Sequence, residues 1–151
     1  MKIVLTTVNK ASVKVNDKLI ASIDKGYLLL VGFTFGDNKE IADKMIDKFL
    51  NLRVFPDEHG KINLSLADVN GSILSVSQFT LYANSKGSRR PSFTDALSPK
   101  EAEELYDYFN NQIEEKYGKL SSGIFGADMK VESINDGPFT LILDSKELFN
   151  I

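Results

Sequence analysis

Tyr27-Leu28-Leu29-Leu30-Val31-Gly32-Phe33 is a nearly continuous apolar run. A strand with one wet face alternates apolar and polar residues, whereas an unbroken run is what a strand buried on both faces requires. A helix signal follows directly. Asp37 can cap it, and Glu40 stands three residues later in the capping-box position. Ile41, Ala42, Met45, Ile46, Phe49 and Leu50 then form one apolar stripe, with Lys39, Asp43, Lys44, Asp47 and Lys48 mostly opposite. A buried strand and an amphipathic helix in succession point to helices packed on a sheet.

Upstream, Ile3–Val8 and Ser12–Val15 are rich in β-branched residues, and the turn signals Asn16-Asp17 and Asp24-Lys25-Gly26 bracket a strand at Leu19–Ile23. Downstream, Arg53–Phe55 and Ile62–Leu66 are short strand candidates around the turn Pro56–Gly60, and Gly71–Leu81 (GSILSVSQFTL) is a strong strand candidate. Tyr82–Leu97 reads as a long loop, and loops beyond roughly 12–15 residues in a compact domain are usually functional or disordered. Ser98-Pro99-Lys100-Glu101 opens a second helix with a serine cap and proline at its first position. Its buried stripe is Ala102, Leu105, Tyr106, Phe109 and Ile113, and Gly118 can end it. Met129–Ile134 and Phe139–Leu143 are the last strands, with Asn135-Asp136-Gly137-Pro138 as the turn between them. There is no repeat or linker, so residues 1–151 read as a single β-rich α+β domain with two main helices.

Composition narrows the chemistry by what it omits. With 42% hydrophobic residues and a net charge of −3, the 151-residue chain has the make-up of a globular protein, not a disordered one. No cysteine means no disulfide, thiol nucleophile, thiolate zinc site or iron–sulfur cluster. The one histidine, His59, sits in a turn sequence, Pro56-Asp57-Glu58-His59-Gly60, so an enzyme of this sequence works without the usual imidazole base. No metal and no cofactor are expected. Nothing approaches ~18 uninterrupted apolar residues, and Met1-Lys2-Ile3-Val4-Leu5 runs into strand sequence without the parts of a signal peptide. The expected location is cytoplasmic, without a membrane partner. The isoelectric point near 5.2 argues against broad DNA coating, and no DNA partner is expected.

Three stretches stand out against this background. Ser77-Gln78-Phe79-Thr80, at a strand end before the long loop, offers a hydroxyl, an amide and backbone N–H groups that can hold a developing oxyanion; equally, Ser and Thr in strands often only pair across the sheet. Asn135-Asp136-Gly137-Pro138-Phe139-Thr140 is either turn punctuation or a place where glycine lets the backbone approach a ligand and X–Pro admits a cis bond. Lys86-Gly87-Ser88-Arg89-Arg90 carries three positive charges in five residues, as a solvated loop or as a grip on phosphates. Phe93, further along, fits a loop anchor better than a base-stacking platform.

Together these stretches resemble the D-aminoacyl-tRNA deacylases (D-tyrosyl-tRNA deacylases), whose signature is SQFTL followed by N-x-G-P-x-T. Here these are Ser77–Leu81 and Asn135–Thr140. The likeness runs through Ala11-Ser12-Val13, Leu52-Arg53, Lys61-Ile62-Asn63, Arg90-Pro91-Ser92-Phe93, Leu105-Tyr106-Asp107-Tyr108-Phe109 and Gly123-Ile124-Phe125-Gly126-Ala127-Asp128-Met129, in order along essentially the whole chain.

The resemblance implies a cytosolic homodimer that hydrolyses the ester between a D-amino acid, or mis-attached glycine, and the 3′ adenosine of tRNA. The expected architecture is a homodimeric α+β domain on a barrel-like or strongly curved sheet. By similarity, Gly137 and Pro138 form a cis pair inserted into the partner's active site, where they exclude an L side chain; Asn135 and Thr140 help to hold it. Phe125 and Met129 match positions lining an adenosine pocket, and Lys86, Arg89 and Arg90 are the expected tRNA phosphate contacts. Ser77, Gln78, Phe79 and Thr80 make up the catalytic stretch. The family admits two accounts, a Thr80 nucleophile or assistance by the tRNA's own 2′-OH. A threonine hydroxyl needs a base, and the composition supplies none nearby, which favours the second account. The alternative is a noncatalytic tRNA-binding module. One departure stands out: where the family commonly has Gln-Arg in its first strand, this chain has Thr6-Thr7, and the missing guanidinium is expected to weaken support of the Gly-Pro turn.

Overall fold

A computed structural model describes all 151 residues. The expected strands Ile3–Val8 and Ser12–Val15 are one continuous strand, β1 (Lys2–Val15). Its first half pairs antiparallel with β3 (Gly26–Gly32), and its second half forms a hairpin with β2 (Lys18–Ile23). Asn16 and Asp17 turn that hairpin at φ 49° and 61°, left-handed geometry that Asn and Asp tolerate. Along its other edge β1 pairs throughout with the last strand, which makes it the central strand of the sheet.

β3 continues the sheet through a parallel pairing with β6 (Ser72–Ser77), and β6 pairs in parallel with the short β7 (Leu120–Ser122). The hairpin end formed by β2 curls back toward β6 and β7, so the sheet is nearly closed and barrel-like. The apolar run of β3 is buried from both sides. Tyr27, Leu29 and Val31 join the larger core under the helices, and Leu28 joins a smaller core inside the curved sheet with Val8, Ala11, Val13, Leu74 and Val76.

Three helices cover the sheet: α1 (Lys39–Asn51), α2 (Pro99–Lys116) and a short α3 (Ser145–Phe149). Ala42, Met45, Ile46 and Phe49 of α1 and Ala102, Tyr106, Phe109 and Ile113 of α2 are buried, so the stripes read from the sequence do face the core. β4 (Arg53–Pro56) and β5 (Ile62–Ser65) form a separate two-stranded ribbon.

Four local expectations are corrected by the structure. Asn38, not Asp37, caps α1, its side chain accepting from the Ile41 N–H at 3.0 Å. Asp37 is taken by the Met1 ammonium at 2.7 Å and by the Thr34 N–H at 2.8 Å. Ser98 precedes α2 as expected, but its hydroxyl donates to the Glu101 carboxylate at 2.6 Å and caps no backbone N–H. The strand expected over Gly71–Leu81 ends at Ser77, and Phe79–Tyr82 form a 3₁₀ turn. Finally, Met129–Ile134 and Phe139–Leu143 are parts of one strand, β8 (Lys130–Asp144), both pairing with β1 in the same direction. The Asn135–Pro138 stretch therefore reverses nothing. It is an outward bulge within a strand.

The Met1–Asp37 pair ties the start of β1 to the segment before α1. The ammonium is fully buried, Asp37 is 5% exposed, and the Ser145 hydroxyl also accepts from the ammonium at 2.8 Å. Burial lowers the amine's pKa below its ordinary value, outweighing the opposing pull of Asp37. Removing one member of a buried pair leaves a desolvated charge, so Asp37→Asn is expected to destabilise the fold by about 3 kcal/mol or more near neutral pH. The lowered amine pKa means that the folded state holds this proton less firmly. The loss should therefore shrink as pH rises through the folded-state value, which lies below 8.0, and be smallest above 8.0, where the amine is neutral in both states. Urea denaturation at acid-to-neutral and at alkaline pH measures both effects.

Candidate active site

The candidate site begins where β6 leaves the sheet. Ser77 is the last β6 residue paired with β3, opposite Val31, and the Gln78 N–H donates to the Val31 carbonyl at 2.7 Å. The 3₁₀ turn that follows lies directly on Gly32. A Cβ there would sit 2.8 Å from the Gln78 carbonyl and 3.1 Å from the Leu81 Cβ. Only glycine permits that approach. Gly32 escaped the sequence reading, although a glycine inside an otherwise unbroken apolar strand was the signal for it.

Beside this turn lies a cavity of about 570 Å³. Ser77, Gln78 and Phe79 form one wall, and Phe125 and Met129 line it from the segment between β7 and β8. Phe93, returning from the long loop, meets the Phe79 ring edge-on at 5.2 Å, which makes it a loop anchor at the cavity rim. Two residues to which the sequence reading gave no role at the site shape this lining. Tyr106 of α2 packs against Phe125 with ring centroids 5.9 Å apart, and its hydroxyl donates to the Ser75 carbonyl at 2.8 Å. Burial pushes its phenol up, so it remains a neutral donor. Gly123 makes room for Met129, since a Cβ there would stand 2.5 Å from the thioether sulfur.

No residue lining the cavity titrates near neutrality. Thr80 lies just outside the lining, exposed, with the Gln78 Nε2 donating to its hydroxyl at 2.5 Å. The group against that hydroxyl is a donor amide, which cannot take its proton. The Phe79 and Thr80 N–H groups open the 3₁₀ turn and have no acceptor within the chain, as the first amides of a helical turn do not. His59 sits on the turn between β4 and β5, three-quarters exposed beside Glu58.

The remaining candidates lie elsewhere. Asn135, Gly137, Pro138 and Thr140 are all exposed on the β8 bulge, outside this cavity's lining. The Gly137–Pro138 peptide is cis, and Gly137 has φ +122°, a value that disfavours any side chain. Asn135 Oδ1 accepts from the Ser133 hydroxyl at 2.7 Å. Lys86, Arg89 and Arg90 are exposed on a loop pinched shut by two backbone bonds of 2.8 Å between Asn84 and Ser92. The structure thus gathers Ser77, Gln78, Phe79, Phe125 and Met129 around one cavity. It leaves the Gly-Pro bulge and the basic loop on open surface. No helix is long and apolar enough to cross a membrane.

Comparison with known proteins agrees over almost the whole chain. The family model for D-Tyr-tRNA(Tyr) deacylase matches residues 4–144. The D-aminoacyl-tRNA deacylase of Thermosipho melanesiensis is 50% identical over 150 residues, covering 99% of this chain and all of that protein. That of Lactobacillus helveticus is 51% identical over 144 residues, covering 95% and 99%. Among solved structures, a c-Myc DNA unwinding element binding protein superposes with a TM-score of 0.89 at 38% identity, covering 95% of this chain and 98% of that one. A probable eukaryotic D-amino acid tRNA deacylase shares the fold with a TM-score of 0.81 at 20% identity, covering 94% and 97%. The chain belongs to the D-Tyr-tRNA(Tyr) deacylase family, hydrolases that act on aminoacyl-tRNA.

Proposed function

We propose that this protein hydrolyses the ester of D-aminoacyl-tRNA, and of glycine mis-attached to tRNA, while sparing L-aminoacyl esters. The observation that carries this reading is the cavity beside the 3₁₀ turn. It joins an apolar, aromatic-lined recess to a wall of hydroxyl, amide and backbone donors, with no titratable side chain. Phe125 and Met129 suit the flat face of a terminal adenosine. Ser77, Gln78 and the free N–H groups of Phe79 and Thr80 suit the oxyanion that forms when the ester carbonyl is attacked. An aminoacyl ester is already activated, so donors and positioning are adequate without a protein nucleophile. The 2′-OH of the terminal ribose is the assisting group, and Thr80 positions rather than attacks. Lys86, Arg89 and Arg90 meet tRNA phosphates from the neighbouring loop.

Chiral selection in this reading needs a second copy of the chain. Gly137 and Pro138 sit outside this chain's own cavity, on a strand whose residues 130–138 are exposed throughout and present Val131 and Ile134 to solvent. That face supports a homodimer in which each bulge enters the partner's cavity. Carbonyls facing the chiral carbon there leave no space on the side where an L residue carries its side chain.

D-Tyr-tRNA should lose its amino acid rapidly and L-Tyr-tRNA should not, measured side by side by release of labelled tyrosine. In Gly137→Ala the bulge cannot keep its φ of +122°, and the preference for the D-ester should collapse. Cleavage of neither ester, with tRNA still bound, would leave a noncatalytic tRNA-binding module instead. Thr80→Val should keep at least roughly a tenth of the wild-type rate, because loss of a true nucleophile costs on the order of 10⁴-fold or more. With no titrating side chain in the cavity, kcat/KM should show no inflection at pH ~6.5, where an imidazole base would impose one; an inflection toward pH ~7–8 is that of the substrate's own α-amino group, and titration of the free aminoacyl-tRNA identifies it.

A further inference from the structure

The bulge on β8 is a surplus of chain with an unusual means of support. Between the pairs Thr6–Thr140 and Val8–Asn135, β1 advances by two residues while β8 advances by five. Asp136, Gly137, Pro138 and Phe139 are thrown out of the ladder, so ladder bonds cannot set the direction of the loop. Its two feet are held instead by the hydroxyls of adjacent β1 residues. Thr7 Oγ1 donates to the Asp136 carbonyl at 2.9 Å. Thr6 Oγ1 lies 3.1 Å from Thr140 Oγ1, bonded to it through one of the two protons. Thr7 is 4% exposed and Thr6 8%, so the clamp is buried while the loop that it grips is open to solvent.

The Asp136 carbonyl belongs to the peptide plane that enters Gly137. Glycine rotates more freely than any other residue, so fixing this plane fixes the more mobile side of the Gly-Pro pair. A threonine in a strand suits the task, because β-branching restricts χ1 and aims its hydroxyl. We propose that Thr6 and Thr7 are positioning residues that set the angle of the Gly137–Pro138 bulge, and through it the discrimination between D- and L-aminoacyl esters. This rests on the reading above that the bulge is the chiral selector. Two neutral hydroxyls of adjacent β1 residues meet the two feet of the bulge.

Thr7→Val keeps the β-branched shape and removes the donor. The D-over-L ratio of kcat/KM on Tyr-tRNA is expected to fall about tenfold, the factor carried by one hydrogen bond of ordinary net strength, and Thr7→Ser should restore it. Thr140→Val, at an exposed position, loosens the other foot and is expected to lower the same ratio even if Thr7→Val folds poorly. An unchanged ratio in both valine variants, or an equal fall in D and L rates without a change of ratio, would overturn the clamp. A wild-type protein without D-preference would instead overturn the proposed function, so the two failures are distinguishable.

Discussion

The pairing of β1 on both edges is the constraint from which the rest of the molecule is arranged. Its fourteen residues bond to β3 and then β2 on one side and to β8 along the other. A strand held on both edges cannot slip by one residue without turning its core face outward. It therefore fixes where β3 ends and thus where β6, in parallel register with β3, releases the Ser77–Thr80 segment. It also fixes where β8 must shed its surplus residues. The cavity wall and the Gly-Pro bulge are two consequences of one register.

The cavity itself is built from backbone and apolar surface more than from reactive side chains. Gly32 lets the 3₁₀ turn settle on β3, Gly123 makes space for Met129, and the ring of Tyr106, tethered by its hydroxyl to the Ser75 carbonyl, backs Phe125. A site made in this way offers fixed donors and a shaped recess, which stabilise charge without changing protonation state. That is consistent with a substrate whose ester is already reactive, and with the lone imidazole standing on a distant ribbon.

Much of this was legible from residues alone. The unbroken apolar run of β3 announced a doubly buried strand, and the stripes of α1 and α2 announced which faces pack, because hydrophobic periodicity reports burial directly. The stretches Ser77–Thr80 and Asn135–Thr140 stood out by residue type, the first as polar groups at a strand end and the second as a Gly-Pro turn, and their matches to a family signature gave them a chemical reading. The cap at α1 shows how a distant partner overrides a local signal. Asp37 has the side chain of a helix cap, but the buried Met1 ammonium, 36 residues upstream, takes its carboxylate and leaves capping to Asn38.

The order of elements and the buried faces follow from sequence, since each depends on neighbours within a few residues. The course of Asn135–Pro138 does not. Gly-Pro with Asn-Asp before it reads as a reversal, and it becomes a bulge only because the segments on both sides find the same partner strand. The same holds for Thr6 and Thr7, whose hydroxyls in the fold meet Thr140 and the Asp136 carbonyl. Their hydroxyls acquire partners more than a hundred residues away, and such partners exist only once the β1–β8 register is formed.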